Sequence, residues 1–183
     1  MLGLFTSLQR ELMAVLDICV YPDPVLRKKA SPVDKIDQDL ICLIDDMAET
    51  MYKAPGIGLA ANQVGRPVRV LVIDIDSRSG GGGGLLALIN PEIVSASGEI
   101  VFEEGCLSVP EFFSTVKRYE EVVVRGLDRD GEPVEIDAEG LLAIVLQHEI
   151  DHLEGRLFID RLSPVARDVF KRKWKKKQQE AKE

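Results

Sequence analysis

The stretch LLAIVLQHEIDHLEG, residues 141–155, holds both histidines of the 183-residue chain, His148 and His152, with Glu149 beside the first. Leu141, Leu142, Val145 and Leu146 lead into them, so the segment reads as a largely buried helix. The pattern predicts that helix over 138–153, with Asp137 as its cap and Gly155 as its stop. Residues four apart share a helix face, so the two imidazoles can converge on one point. A solvated helix bearing two unrelated histidines is the plain alternative. The apolar context argues against it, because burying two unpartnered histidines is costly. Two neutral imidazoles on a rigid rod suit a transition metal ion. Glu149 can then lean toward a water at that ion and act as a general base without being a ligand.

Two ligands do not complete a reactive site, which takes three protein ligands and keeps one position open. The chain has no third histidine, and Glu154 lies too near on the same helix. The better candidate is Cys106 in EEGCLSVP (103–110), where Gly105 gives the backbone freedom. From spacing alone, a ligating thiolate and an ordinary buried thiol are equally admissible. Cys19 and Cys42 read as core residues. Three cysteines with no CxxC pair do not form a secreted disulfide framework, so a reducing cytoplasm is expected.

GIGLAANQVG (56–65) is the third conspicuous stretch. Gly56, Gly58, Ala60 and Ala61 carry almost no side-chain bulk, so another backbone can approach closely. Gln63 adds a neutral amide donor suited to a developing oxyanion. Neither a Walker loop nor a dinucleotide fingerprint is present. Taken alone, the stretch reads as tight core packing.

Around these motifs the pattern predicts a loop-rich segment over 22–39 and a helix over 38–52, ended by Ala54-Pro55-Gly56. Strands are expected at 68–75, 85–89, 99–103, 116–127 and 133–136, with DRDG (128–131) turning between the last two. SRSGGGGG (77–84) reads as a surface connection. Ser163-Pro164 opens a final helix. One helix, then strands, then two helices make the class α+β. Three regions are expected: an N-terminal extension over 1–15, a main domain over 16–163, and a basic helix or tail over 164–183. The last 23 residues hold nine Lys or Arg against three acids, in a chain of net charge −8. An acidic body with a basic tail points to an anionic partner for the tail alone. No apolar run approaches a membrane span, so no membrane partner is expected; no DNA partner is expected either.

Together, GIGLAANQ (56–63), EGCLS (104–108) and QHEIDH (147–152) resemble the three motifs of the peptide deformylases, in the family's order. The resemblance covers residues 16–170. It implies antiparallel or mixed sheets packed around a central HExxH helix, with a C-terminal helix. It implies removal of the N-formyl group from the formyl-methionine of nascent polypeptides, releasing formate. Carried onto matching positions, Cys106, His148 and His152 hold one divalent ion: Fe²⁺, with Zn²⁺, Ni²⁺ or Co²⁺ as replacements. Glu149 is base and then acid, and the Gln63 side chain and the Leu107 N–H meet the oxyanion. Gly56 and Gly58 flank the substrate backbone. Ile57, Phe102, Leu141, Ile144 and Val145, near Glu104, line the methionine pocket. The resemblance also implies a ribosome contact for the C-terminal helix. One departure is plain: many relatives have an Arg a few residues after EGCLS, where this chain has Phe112 and Phe113. HExxH alone also admits a metallopeptidase, and a purely structural metal site is a further alternative.

Overall fold

The computed structural model describes residues 14–76 and 84–180. Most of the N-terminal extension and nearly all of the glycine connection therefore lie outside the described residues. Among the described residues there are three α-helices: α1 (Gln38–Lys53), α2 (Gly140–Leu153) and α3 (Pro164–Glu180). The strands are β1 (Gly58–Ala60), β2 (Val70–Ile73), β3 (Leu86–Ser97), β4 (Ile100–Cys106), β5 (Val109–Arg118), β6 (Glu121–Leu127) and β7 (Pro133–Glu139). All pair antiparallel, in a five-stranded sheet ordered β1-β2-β3-β6-β7 and a separate β4–β5 hairpin. This is the α+β arrangement the sequence predicts.

The five-stranded sheet lies between two helices. Strand side chains alternate between faces, so Leu71 and Ile73 of β2 join Ala143, Val145, Leu146 and Ile150 of α2. Val70 and Val72 face the other way, into Ile44, Met47 and Met51 of α1. That double burial explains why VLVI is apolar throughout rather than alternating. α2 is central in the same sense: eleven consecutive residues, Ala143 to Leu153, are buried.

A third core holds the hairpin and α3 together. Phe112, Val116, Phe158, Leu162 and Phe170 are buried in it. Phe170 packs edge-on against Phe112 at 4.9 Å and Tyr21 at 5.5 Å, and Trp174 meets Tyr21 at 5.1 Å. The first half of α3 is thus built into the body, and only its later turns form a basic extension.

Three sequence boundaries move. The run 116–127 is not one strand: it breaks at Tyr119 and Glu120, and its halves belong to different sheets. Gln147 clamps the break, because its carbonyl accepts from Tyr119 N–H (2.9 Å) and its amide donates to Tyr119 C=O (2.9 Å). β3 continues past the expected end at 89, through Asn90-Pro91, with a register shift there. Asn90 takes φ of 53° and bonds both polar backbone groups of Val33 at 2.8 Å, which stabilises the irregularity. Finally, Asp137 does not cap α2. It is paired with Val123 inside β7, and the helix starts at Gly140, whose φ of 56° makes the sharp entry.

Candidate metal centre

Cys106 ends β4, where the β4–β5 register shifts between Glu104 and Cys106. That irregularity lets the sulfur leave the hairpin and approach α2. Cys106 Sγ lies 3.2 Å from His152 Nε2, and His152 Nε2 lies 3.2 Å from His148 Nε2. All three ligand atoms fall within 4.8 Å of one another. Helical spacing brings the imidazoles together, as the sequence predicts, and the hairpin supplies the sulfur from 42 residues upstream of His148. Glu154 points elsewhere, pairing with Arg69 at 2.5 Å and Lys29 at 2.8 Å.

The donor set fits a single cation. Burial pulls both imidazoles down, but on His148 the Cys106 sulfur and Glu104 outweigh it and hold the ring well above its ordinary value. On His152, burial and the neighbouring His148 act together and push the ring well below. A thiol and two imidazoles whose donor atoms converge on one point are groups that a divalent ion would take with proton release. His148 Nδ1 is held by Glu104 Oε2 at 2.8 Å, leaving Nε2 free to ligate.

Behind that contact runs a buried ion network. Arg118, whose side chain has no exposed surface, reaches Glu104 at 2.6 and 2.9 Å and Asp151 at 2.5 Å. Arg161 grips Asp151 from the surface side at 2.5 and 2.6 Å. Burial alone would raise the Glu104 carboxyl, but Arg118 and His148 bring it down to about 2. Asp151 is lowered likewise, Arg161 and Arg118 outweighing its burial. Sequence reasoning missed Arg118, Asp151 and Arg161. A usable signal existed: Asp151 is an acid inside a buried helix and needs a partner. Replacing Arg118 with methionine leaves buried Glu104 with no cation but His148, and Asp151 with Arg161 alone. Denaturant unfolding should show a loss of about 3–5 kcal/mol. Metal affinity should fall by about 10–100-fold as Glu104 ceases to orient His148.

Glu149 is buried beside the trio, and its Oε2 has no partner. Burial pushes its carboxyl up to about 7, only partly countered by His148. β1 crosses directly over it. A Cβ on Gly58 would sit 2.5 Å from Glu149 Oε1 and 2.9 Å from Val145 Cγ1, so only glycine fits. Leu107 Cδ1 lies 2.9 Å from where a Cβ on Gly56 would be. Gln63 accepts from Ala60 N–H at 2.8 Å, and its amide faces Ser108 Oγ at 3.2 Å and Cys106 Sγ at 3.7 Å. The GIGLAANQ stretch is therefore packed tightly against Glu149, Val145 and Leu107 beside the three donors. Ile144 and Val145 are buried and Ile57 half-buried, whereas Phe102 and Leu141 keep 39% and 38% of their surface open.

Comparison with known proteins places the chain among characterised sequences and structures. The sequence profile described as Polypeptide deformylase matches residues 15–168. A peptide deformylase of Syntrophobacter fumaroxidans is 68% identical over 169 residues, 92% of this chain and 99% of that protein. The crystal structure of a peptide deformylase from Legionella pneumophila superposes with TM-score 0.85 at 51% identity, covering 93% of this chain and 99% of that one. A Met-Ala-Ser-bound peptide deformylase from Acinetobacter baumannii gives TM-score 0.77 at 35% identity, covering 82% and 99%.

Proposed function

The chain belongs to the polypeptide deformylase family of enzymes, and from that membership we propose that it hydrolyses the N-formyl group of formyl-methionyl nascent peptides, using one divalent ion held by Cys106, His148 and His152. One observation carries the reading. Three donors converge on a point beside a buried carboxylate that has a free oxygen. A structural site fills its four positions with protein ligands, and three with an idle base alongside describe a reactive one.

When bound, the ion supplies a Lewis acid that acidifies water and polarises the formyl carbonyl. Glu149 takes a proton from the attacking water as oxygen joins the formyl carbon. Its elevated carboxyl suits proton transfer near neutrality. The carbonyl oxygen, as it gains charge, is met by the Gln63 amide and the Leu107 N–H. The C–N bond then breaks, and Glu149 hands its proton to the departing amine, leaving formate and a free N-terminus.

Substrate positioning follows from the sheets. β1 is the edge of the five-stranded sheet, and β4 pairs only with β5 among the described residues. Two open strand edges thus border the cleft, and an extended peptide can add between them, flanked by Gly56 and Gly58. Its methionine enters the apolar wall of Ile57, Phe102, Leu141, Ile144 and Val145, near Glu104. The Met-Ala-Ser bound in the Acinetobacter baumannii relative supports this reading. Fe²⁺ is the proposed ion, with Zn²⁺, Ni²⁺ or Co²⁺ as replacements. A cytoplasmic location is proposed with it, and no helix among the described residues is long and apolar enough to cross a membrane.

Exposed Lys171, Arg172, Lys175 and Lys176 give α3 a basic face, for which ribosomal RNA is the proposed partner. Because Phe170 and Trp174 belong to the third core, a truncation near Pro164 would open the body. The informative variant keeps the helix intact and replaces exposed Lys171, Arg172, Lys175 and Lys176 with glutamate: salt-sensitive ribosome binding should be lost, and unchanged binding would remove the proposed partner.

The deciding assay supplies the metal-loaded protein with formyl-Met-Ala-Ser and with unformylated peptides. Formate release without backbone cleavage is expected. Cleavage of the unformylated peptides with no formate would overturn the proposal in favour of a metallopeptidase.

A further inference from the structure

Phe113 is a large aromatic side chain with 66% of its surface open to water. Its ring lies across Gly105, the residue before Cys106: a Cβ there would stand 2.5 Å from Phe113 Cε1 and 2.7 Å from Cδ1. No apolar cluster of buried residues claims it. The pairing of Glu104 with Ser114 and of Glu103 with Thr115 sets which face it occupies. Glu104, Phe102 and Val116 share one face of the hairpin, and Glu103, Gly105, Phe113 and Thr115 share the other.

A peptide added along the open edge of β4 inherits that alternation. Its first side chain goes to the Phe102 face, where the methionine wall lies. Its second must point to the opposite face, over Gly105 and toward Phe113. We propose that Phe113 is a specificity-determining residue that selects an apolar or aromatic second residue in the formylated peptide. This rests on the deformylase reading of the same cleft. Glu103, exposed on that face, adds repulsion against an acidic second residue. With no Cβ at Gly105, the ring can lie flat and present an open apolar surface beside the substrate backbone.

The test compares kcat/KM for formate release from formyl-Met-Phe-Ser, formyl-Met-Ala-Ser and formyl-Met-Asp-Ser. In the native protein, phenylalanine at the second position should be favoured over alanine by about five- to tenfold, mostly through KM. In Phe113→Ala that ratio should fall to about twofold or less, with Phe113→Leu in between. In Phe113→Arg the aspartyl peptide should gain about fivefold relative to the alanyl one. Formate release with the same phenylalanine-to-alanine ratio in the native protein and in folded Phe113→Ala or Phe113→Leu would overturn the inference. If no formyl peptide releases formate from the native protein, the deformylase reading itself falls.

Discussion

Glu149→Gln lowers kcat for formate release by about a thousandfold, within the range that loss of a positioned acid–base group produces. Glutamine keeps the shape of the side chain and removes its ability to take and return a proton. The cleft is otherwise preserved, since Glu149 is not among the three converging ligand atoms. Metal content should therefore match the native protein, and KM should change little. The thermal midpoint should stay level or rise, because a buried carboxylate with an unpartnered oxygen is a cost that the fold tolerates for function. Steady-state and single-turnover kinetics, metal analysis and a thermal melt on the same preparation check all four. Turnover within about tenfold of the native protein would remove Glu149 from the acid–base role.

Cys106→Ala produces the second large effect, on metal retention rather than on proton transfer. The sulfur is the one donor from outside α2, 3.2 Å from His152 Nε2. Without it only two imidazoles of one helix remain, and the Gln63 amide loses its neighbour at 3.7 Å. Competition against a chelator should show the affinity for Zn²⁺ falling by more than about a hundredfold, beyond what loss of an outer hydrogen-bond partner costs. Formate release should vanish at limiting metal. His148 and His152 should still occupy one face of α2, so far-ultraviolet circular dichroism should be unchanged. Undiminished affinity in Cys106→Ala would make the thiol an ordinary core residue.

The convergence of the two histidines is legible because it is local: His148, Glu149 and His152 sit on one turn, and helical spacing alone brings the imidazoles together. Cys106 was half legible. Its residue type suited the task, but only the bulge near Gly105 turns the sulfur out of the hairpin, and a bulge leaves no periodic signal. The run 116–127 shows the opposite failure. Val116 through Leu127 holds no proline and no glycine at the break, yet the chain changes sheets at Tyr119, where Gln147, 28 residues away, holds both backbone polar groups. Arg118 is the consequence of that switch, ending β5 inside the protein where the next strand begins elsewhere. The cap at Asp137 misled because a good capping residue is equally able to sit on the exposed face of an edge strand such as β7. The strand expected over 85–89 runs on because Asn90 absorbs the irregularity through its bonds to Val33.

The most direct test of the shared centre is X-ray absorption at the metal edge of protein purified and loaded without oxygen. The native protein should show one sulfur and two imidazole nitrogens around a single ion, and Cys106→Ala should lose the sulfur contribution. A native spectrum with no sulfur neighbour, or one that Cys106→Ala leaves unchanged, would contradict the account.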